Sequence, residues 1–164
     1  MAVFKDEDEV YAFLGGIFQR GLEKEGLADK LANSGVVLRV HYTDPDAVVT
    51  VDMPKKVVET GAASTAVPNV ELFMSADTGN KFWLGKVNLT MAMAKGTVRA
   101  KGPVPKLIKL IPQAKNLFPE YRLMLQSQDR QDLIDGAVDV RLRDPTDLDR
   151  QVRQEEATTP ARRR

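Results

Sequence analysis

Residues 70–102 read VELFMSADTGNKFWLGKVNLTMAMAKGTVRAKG. Val70, Leu72 and Met74 alternate with Glu71, Phe73 and Ser75, the period of two of a strand with one apolar face. Asp77 or Thr78 then offers a cap for a short helix that holds Phe82 and Trp83. From Asn88 the pattern changes again. Leu, Met and Ala are strong helix formers, Asn88 is a good N-cap and Gly96 suits a left-handed C-cap, so Asn88 to Lys95 predicts a two-turn helix. Such a helix, apolar nearly all round, must be buried or must border something other than water. Val98 and Ala100, set against Thr97, Arg99 and Lys101, predict a closing strand whose other face is wet, and Pro103 and Pro105 stop it.

The segment upstream alternates in the same way. Val36, Leu38, Val40 and Tyr42 oppose Val37, Arg39, His41 and Thr43, Asp44-Pro45-Asp46 turns the chain, and Ala47, Val49, Val51 and Met53 resume the alternation. This predicts an antiparallel hairpin with one wet face. Lys56 to Thr60 reads as a third, edge-like strand before the break at Pro68-Asn69. Ahead of the hairpin the period is helical: Asp6 and Glu9 make a D-x-x-E capping box, and Val10, Phe13, Leu14, Ile17 and Phe18 recur behind it to about Arg20. A second helix, about Leu22 to Ala32, presents Leu27 and Leu31 and ends at Asn33-Ser34-Gly35. Downstream, VPKLIKLIPQAKNLFPEYRLMLQ carries Leu107, Ile108, Leu110 and Ile111 at helical spacing, but Pro112 and Pro119 divide it into two or three pieces. AVDVRLR near Val138 alternates like a further strand. Residues 144–164 have almost no apolar content and are expected to be disordered, which leaves one domain over residues 1–143.

Lysine and arginine number 24 against 23 acidic residues, so the net charge of +1 gives no global field for polyanions and argues against nucleic acid as a partner. There is no cysteine, which excludes disulfides, thiolate nucleophiles and cysteine zinc sites and is compatible with the reducing cytoplasm expected as its location. The N-terminus lacks a basic segment followed by an apolar core, and no run approaches about 18 apolar residues, so neither a signal peptide nor a membrane span is expected. The one histidine, His41, falls on the wet strand face and reads as a solvated surface residue. Without a second histidine or a cysteine, metal sites and nucleophile systems of those types lack their members. GGIFQRG, residues 15–21, imitates a phosphate loop, but Leu22 stands where the lysine should be and the pattern is helical. SADTGNK reads as a capping turn. Carboxylates such as Asp52 or Glu71 would serve an enzyme only if strongly perturbed inside a pocket. No catalytic residue, metal or cofactor is expected. Lys81, Lys86, Lys95, Arg99, Lys101, Lys106 and Lys109 cluster around the apolar helices, as a solvated rim or as a surface for anionic lipid head groups, where each nearby basic side chain adds about 1 kcal/mol.

From about Val36 to Leu125 this order of elements resembles the sterol carrier protein type 2 family. The block at 70–102 carries the resemblance, and KLIKLIP (106–112) and FPEYR (118–122) look like bacterial members of that family. The resemblance implies an α+β fold in which helices cover one face of an about five-stranded, mostly antiparallel sheet and enclose an apolar tunnel. It further implies binding and carrying of sterol, fatty acid, acyl-CoA or phospholipid without chemistry of its own. The sheet would be a rigid floor and the helices from Asp77 to Gln126 a movable lid. LTMAMA would then be a tunnel wall, with Met91 and Met93 as adaptable surface. Expected lining residues are Phe73, Phe82, Trp83, Leu89, Met91, Met93, Leu110, Ile111, Phe118 and Met124. Expected partners are the lipid, transiently an anionic membrane surface, and, in the rival reading, an enzyme to which the chain presents an apolar substrate as an accessory subunit. The chain ends in Arg162-Arg163-Arg164 where eukaryotic members carry a peroxisomal tripeptide, which points away from the peroxisome.

Overall fold

The computed structural model of the chain describes residues 3–136; the strand expected near Val138 and the tail at 144–164 lie outside the described residues. Asp6 opens the first helix. Its extended backbone places Oδ1 3.0 Å from the Glu9 amide, and Glu9 Oε1 accepts from the Lys5 amide at 2.7 Å. The helix runs as α1 (Glu7–Val10), widens into a π-helical stretch (Tyr11–Gly15) and continues as α2 (Gly16–Glu23). Gly21 explains part of the glycine cluster, because a Cβ there would stand 2.9 Å from Leu117 Cδ1. The break after this helix comes later than expected. Lys24 turns to an extended ψ of 123° and Gly26 takes φ 83°, so α3 spans Leu27–Asn33 and Leu22 belongs to α2.

Five strands follow in one mixed sheet: β1 (Val37–Thr43), β2 (Ala47–Asp52), β3 (Val57–Thr60), β4 (Val70–Ser75) and β5 (Arg99–Lys101), in spatial order β3-β2-β1-β4-β5. Three of the neighbouring pairs are antiparallel and one, β1 with β4, is parallel in the register Leu38↔Val70 to Thr43↔Ser75. The alternation read from sequence sets the faces. Leu38, Val40, Tyr42, Val49, Val51, Val70 and Leu72 are buried on the side that the helices cover. On the other side the segment 61–69 crosses part of the sheet, where Arg39 donates to Thr50 Oγ1 at 3.0 Å and to the Ala66 carbonyl at 2.8 Å. Asn69 fixes the return into β4 by accepting from the Val37 amide at 3.0 Å and donating to the Gly35 carbonyl at 2.9 Å.

Between β4 and β5 stand α4 (Ala76–Trp83) and α5 (Leu89–Lys95). Ser75, two residues before Asp77 and three before Thr78, the caps expected from sequence, caps α4 by accepting from the Thr78 amide at 3.1 Å. Asn88 caps α5 through the Met91 amide at 3.0 Å, and Gly96 closes it at φ 83°. After β5 the chain forms α6 (Val104–Ile108), α7 (Ile111–Ala114), a 3₁₀ turn (Lys115–Leu117), α8 (Phe118–Ser127) and α9 (Gln131–Asp135). Pro105, Pro112 and Pro119 each sit in the first turn of a helix, where the missing N–H has no intrahelical partner to lose. Arg130, at the mouth of α9, donates to the Glu9 carboxylate and to both oxygens of Asp132, and so ties the last described helix to the first.

Tyr42 and Tyr121 are buried, and burial holds both phenols above the usual tyrosine range. The folded state therefore keeps two protons that the unfolded chain releases near pH 10. Their contribution is fully present below that pH and is lost above it, at up to about 2.7 kcal/mol per pH unit for the two groups. Denaturant titrations between neutral and strongly alkaline pH should show this fall. Tyr42→Phe, whose hydroxyl makes no hydrogen bond with the described residues, should reduce the slope by about half while leaving neutral-pH stability nearly unchanged.

Candidate functional site

The helices do not fill the apolar face of the sheet. Between the sheet floor (Leu38, Val40, Val51, Leu72, Met74), α2 and α3 (Phe18, Leu22, Leu27, Leu31), α4 (Phe82, Trp83) and the chain from Leu107 to Leu117 lies a cavity. Its volume is about 80 Å³, measured as the space open to the centre of a water molecule. No charged side chain borders it, and among its lining residues only Tyr42, Trp83 and Gln113 carry a side-chain nitrogen or oxygen. Because burial keeps the Tyr42 phenol neutral, the wall has no ionised group at neutral pH. An apolar wall of this kind offers van der Waals surface and removal from water to a guest, and no acid, base or nucleophile to react with it.

A second hollow, about 530 Å³ and open to the outside, lies between α5 and α7, lined by Gly85, Val87, Asn88, Leu89, Thr90, Ile108, Ile111, Pro112, Lys115 and Phe118, with Phe82 behind. Phe82, Leu89 and Ile111 border both spaces and are all that the two linings share. Trp83 anchors this wall from within. Its ring meets Phe82, Phe18 and Phe118 edge to face, with centroids 5.0, 5.3 and 6.1 Å apart.

Three solved structures share this architecture. Sterol carrier protein 2 from Yarrowia lipolytica, in its apo form, matches with a TM-score of 0.52 at 20% identity, over 71% of this chain and 98% of that one. The chain has the sterol carrier protein 2 fold. Sterol carrier protein domain 2 of Helicoverpa armigera matches with a TM-score of 0.54 at 15% identity, over 71% of this chain and 95% of that one. A UbiJ-SCP2 ubiquinone synthesis protein matches with a TM-score of 0.51 at 15% identity, over 71% and 96%. No protein-family model matches the chain, and no curated protein sequence does.

Within the sterol carrier protein 2 fold, the ten residues expected to line a tunnel separate into groups. Phe82, Trp83, Leu89, Leu110 and Ile111 border the cavity. Phe118 stands one layer out, in the wall of the open groove. Met91 is 48% exposed, since α5 buries only Leu89 and Ala92, and Met93 is half-buried against the core. Met124 is buried on α8 beneath Gly16, outside the cavity lining. Phe73 lies on the far face of the sheet, as its place opposite Leu72 and Met74 requires. There His41, expected to be solvated, stacks on Phe73 with ring centroids 4.5 Å apart and pairs with Glu71 at 2.8 Å. Arg99 and Lys101 cover the same Phe73 ring at 5.2 and 5.3 Å, so they leave the basic cluster around the helices, and Lys81 leaves it through a 3.1 Å ion pair with Asp77.

The sequence reading missed the opposite wall of the cavity, made by Phe18, Leu22, Leu27 and Leu31, together with the floor. The floor was legible in principle, because Leu38, Val40, Leu72 and Met74 had been assigned to the covered face. Neither Asp52, which accepts from the Lys55 amide at 3.1 Å, nor Glu71 borders the cavity. Among the described residues no group of three or more histidine, cysteine or acidic side chains could hold a metal ion, and no helix is long and apolar enough to cross a membrane.

Proposed function

We propose that this chain binds a lipid in the cavity between sheet and helices and carries it without chemistry of its own. The observation behind this reading is the uncharged cavity itself, bordered on one side by a continuous sheet and on the other by helices too short to pack as one rod. Each buried methylene of a guest is worth about 0.8 kcal/mol, so affinity needs apolar length rather than a reactive group. In this reading the segment from α4 to α8 moves as a lid to admit the guest. The proteins of this fold named sterol carriers support the reading.

Trp83 is a built-in reporter, 4% exposed and part of the wall. Titration of delipidated protein with fatty acid, fatty acyl-CoA and a fluorescent sterol should give a saturable change in its emission with at least one of them. Silence with all three, together with no lipid in an extract of the purified protein, would overturn the proposal. A second reading has its own support in the ubiquinone synthesis protein of the same fold: the chain presents an apolar substrate to a partner enzyme as an accessory subunit. Co-purification with an enzyme whose turnover falls when this chain is removed separates the two.

A further inference from the structure

Residues 86–119 contain no acidic side chain and seven basic ones, while the whole chain is balanced at +1. The charge is therefore segregated: Arg99 and Lys101 stand over Phe73 on the far face of the sheet, and the other five basic residues lie on the segments that build the walls of the open groove or flank them. Lys86, Lys95, Lys106, Lys109 and Lys115 form no ion pair among the described residues; outside the segment, Lys24, Lys56, Lys81 and Arg130 do, and Lys5, Arg20, Lys30, Arg39, Lys55 and Arg122 do not. Lys115 lines the groove itself. Set among these lysines are two apolar side chains turned to solvent, Met91 at 48% and Ile108 at 37% exposure, and Ile108 belongs to the groove wall.

Building on the carrier reading, we propose that the α5–α7 cap is a docking surface for an anionic lipid bilayer, with the groove as the passage from bilayer to cavity. An acidic protein offers similar charge, but two features fit a fluid surface better. The free cations of the cap are all lysines, point charges that need no fixed partner geometry, whereas recognition of carboxylates on a folded partner favours the planar fork of arginine. The exposed Met91 and Ile108 have no reason to accompany a purely ionic contact, yet they suit insertion below the head groups. The remainder of the chain carries the compensating negative charge, so the molecule has an electrical polarity that turns the cap toward an anionic surface before contact. A lipid leaving the bilayer then enters the groove without crossing water.

The test uses the full chain, co-sedimented with vesicles of phosphatidylcholine alone or with about 30% phosphatidylglycerol, at low and physiological salt. Wild type should partition onto the anionic vesicles only, less so as salt rises. Lys106→Gln with Lys109→Gln should weaken that partition roughly 25-fold, about fivefold per lysine, and Ile108→Ser should weaken it without changing its salt dependence. Melting temperature should stay unchanged in these variants, and affinity for cis-parinaric acid added from solution should stay unchanged in the double lysine variant, neither of whose residues lines the groove or the cavity. Equal binding to both vesicle types, or an unaffected double variant, overturns the proposal. So does loss of binding on changing Arg162, Arg163 and Arg164 to Gln in its place. Lysine-dependent retention on polyglutamate without vesicle binding also overturns it, in favour of an acidic protein. If wild type docks on vesicles but takes up no cis-parinaric acid, the docking surface stands and the carrier reading falls.

Discussion

Asn80→Ala should cost about 3–5 kcal/mol of unfolding free energy, a large part of the whole stability of a domain this size. Asn80 is 1% exposed and joins three helices with two hydrogen bonds. From α4 its Nδ2 donates to the Leu133 carbonyl of α9 at 3.1 Å, and its Oδ1 accepts from the Tyr121 hydroxyl of α8 at 2.7 Å. Alanine leaves that hydroxyl and that carbonyl without partners in the interior, each at about 1–3 kcal/mol. Tyr121→Phe should cost less, since it strands only the Asn80 oxygen. In the Asn80→Ala background the same change should be nearly neutral or restore stability, because the stranded hydroxyl is gone. Urea denaturation of the two single variants and the double variant measures this coupling directly. If the two single costs simply add, the hydrogen bond between them is not what holds α4 to α8.

The second large effect concerns binding. Ala114→Trp, on the α7 wall of the cavity, should lower lipid affinity about a hundredfold. A ring placed there occupies the space of three or four methylenes of a guest, which at about 0.8 kcal/mol each amounts to roughly 2.7 kcal/mol. Because the ring fills a void instead of crowding a packed core, the melting temperature of the delipidated variant should hold or rise. Met91→Trp is the control, for Met91 faces solvent and its replacement should leave solution affinity unchanged. Equal losses in both variants would place the guest outside the cavity.

The alternation at 36–53 and 70–75 fixed both strand identity and strand face, and the caps at Asn88 and Gly96 fixed α5 almost to the residue. What it could not reveal was which members of the covered face look onto empty space. Leu38 and Val49 read alike in sequence, and both are buried, but only Leu38 borders the cavity. The helix LTMAMA showed a related gap. With apolar residues on nearly every side, it carried no periodic sign of which side turns inward, and the packing selected Leu89 and Ala92 over the methionines. Phe73 is a different matter: the strand parity of 70–75 by itself sets it on the wet face, opposite Leu72 and Met74. Leu22, Leu27 and Leu31 escaped because a wall contributed from a distant part of the chain leaves no local mark.

In the carrier reading, the three side chains common to groove and cavity give affinity an intercept. A short guest would lie in the groove and leave Phe82, Leu89 and Ile111, which line both spaces, in place, and one that goes on to the interior would displace them. That displacement costs the same for an alkyl chain of any length, whereas each methylene that follows adds its own about 0.8 kcal/mol. Free energy against chain length is then a line with a break rather than a single slope. The extent of the groove sets where the break falls, the depth of the cavity sets where the gain ends, and discrimination between short and long chains needs no group that recognises either.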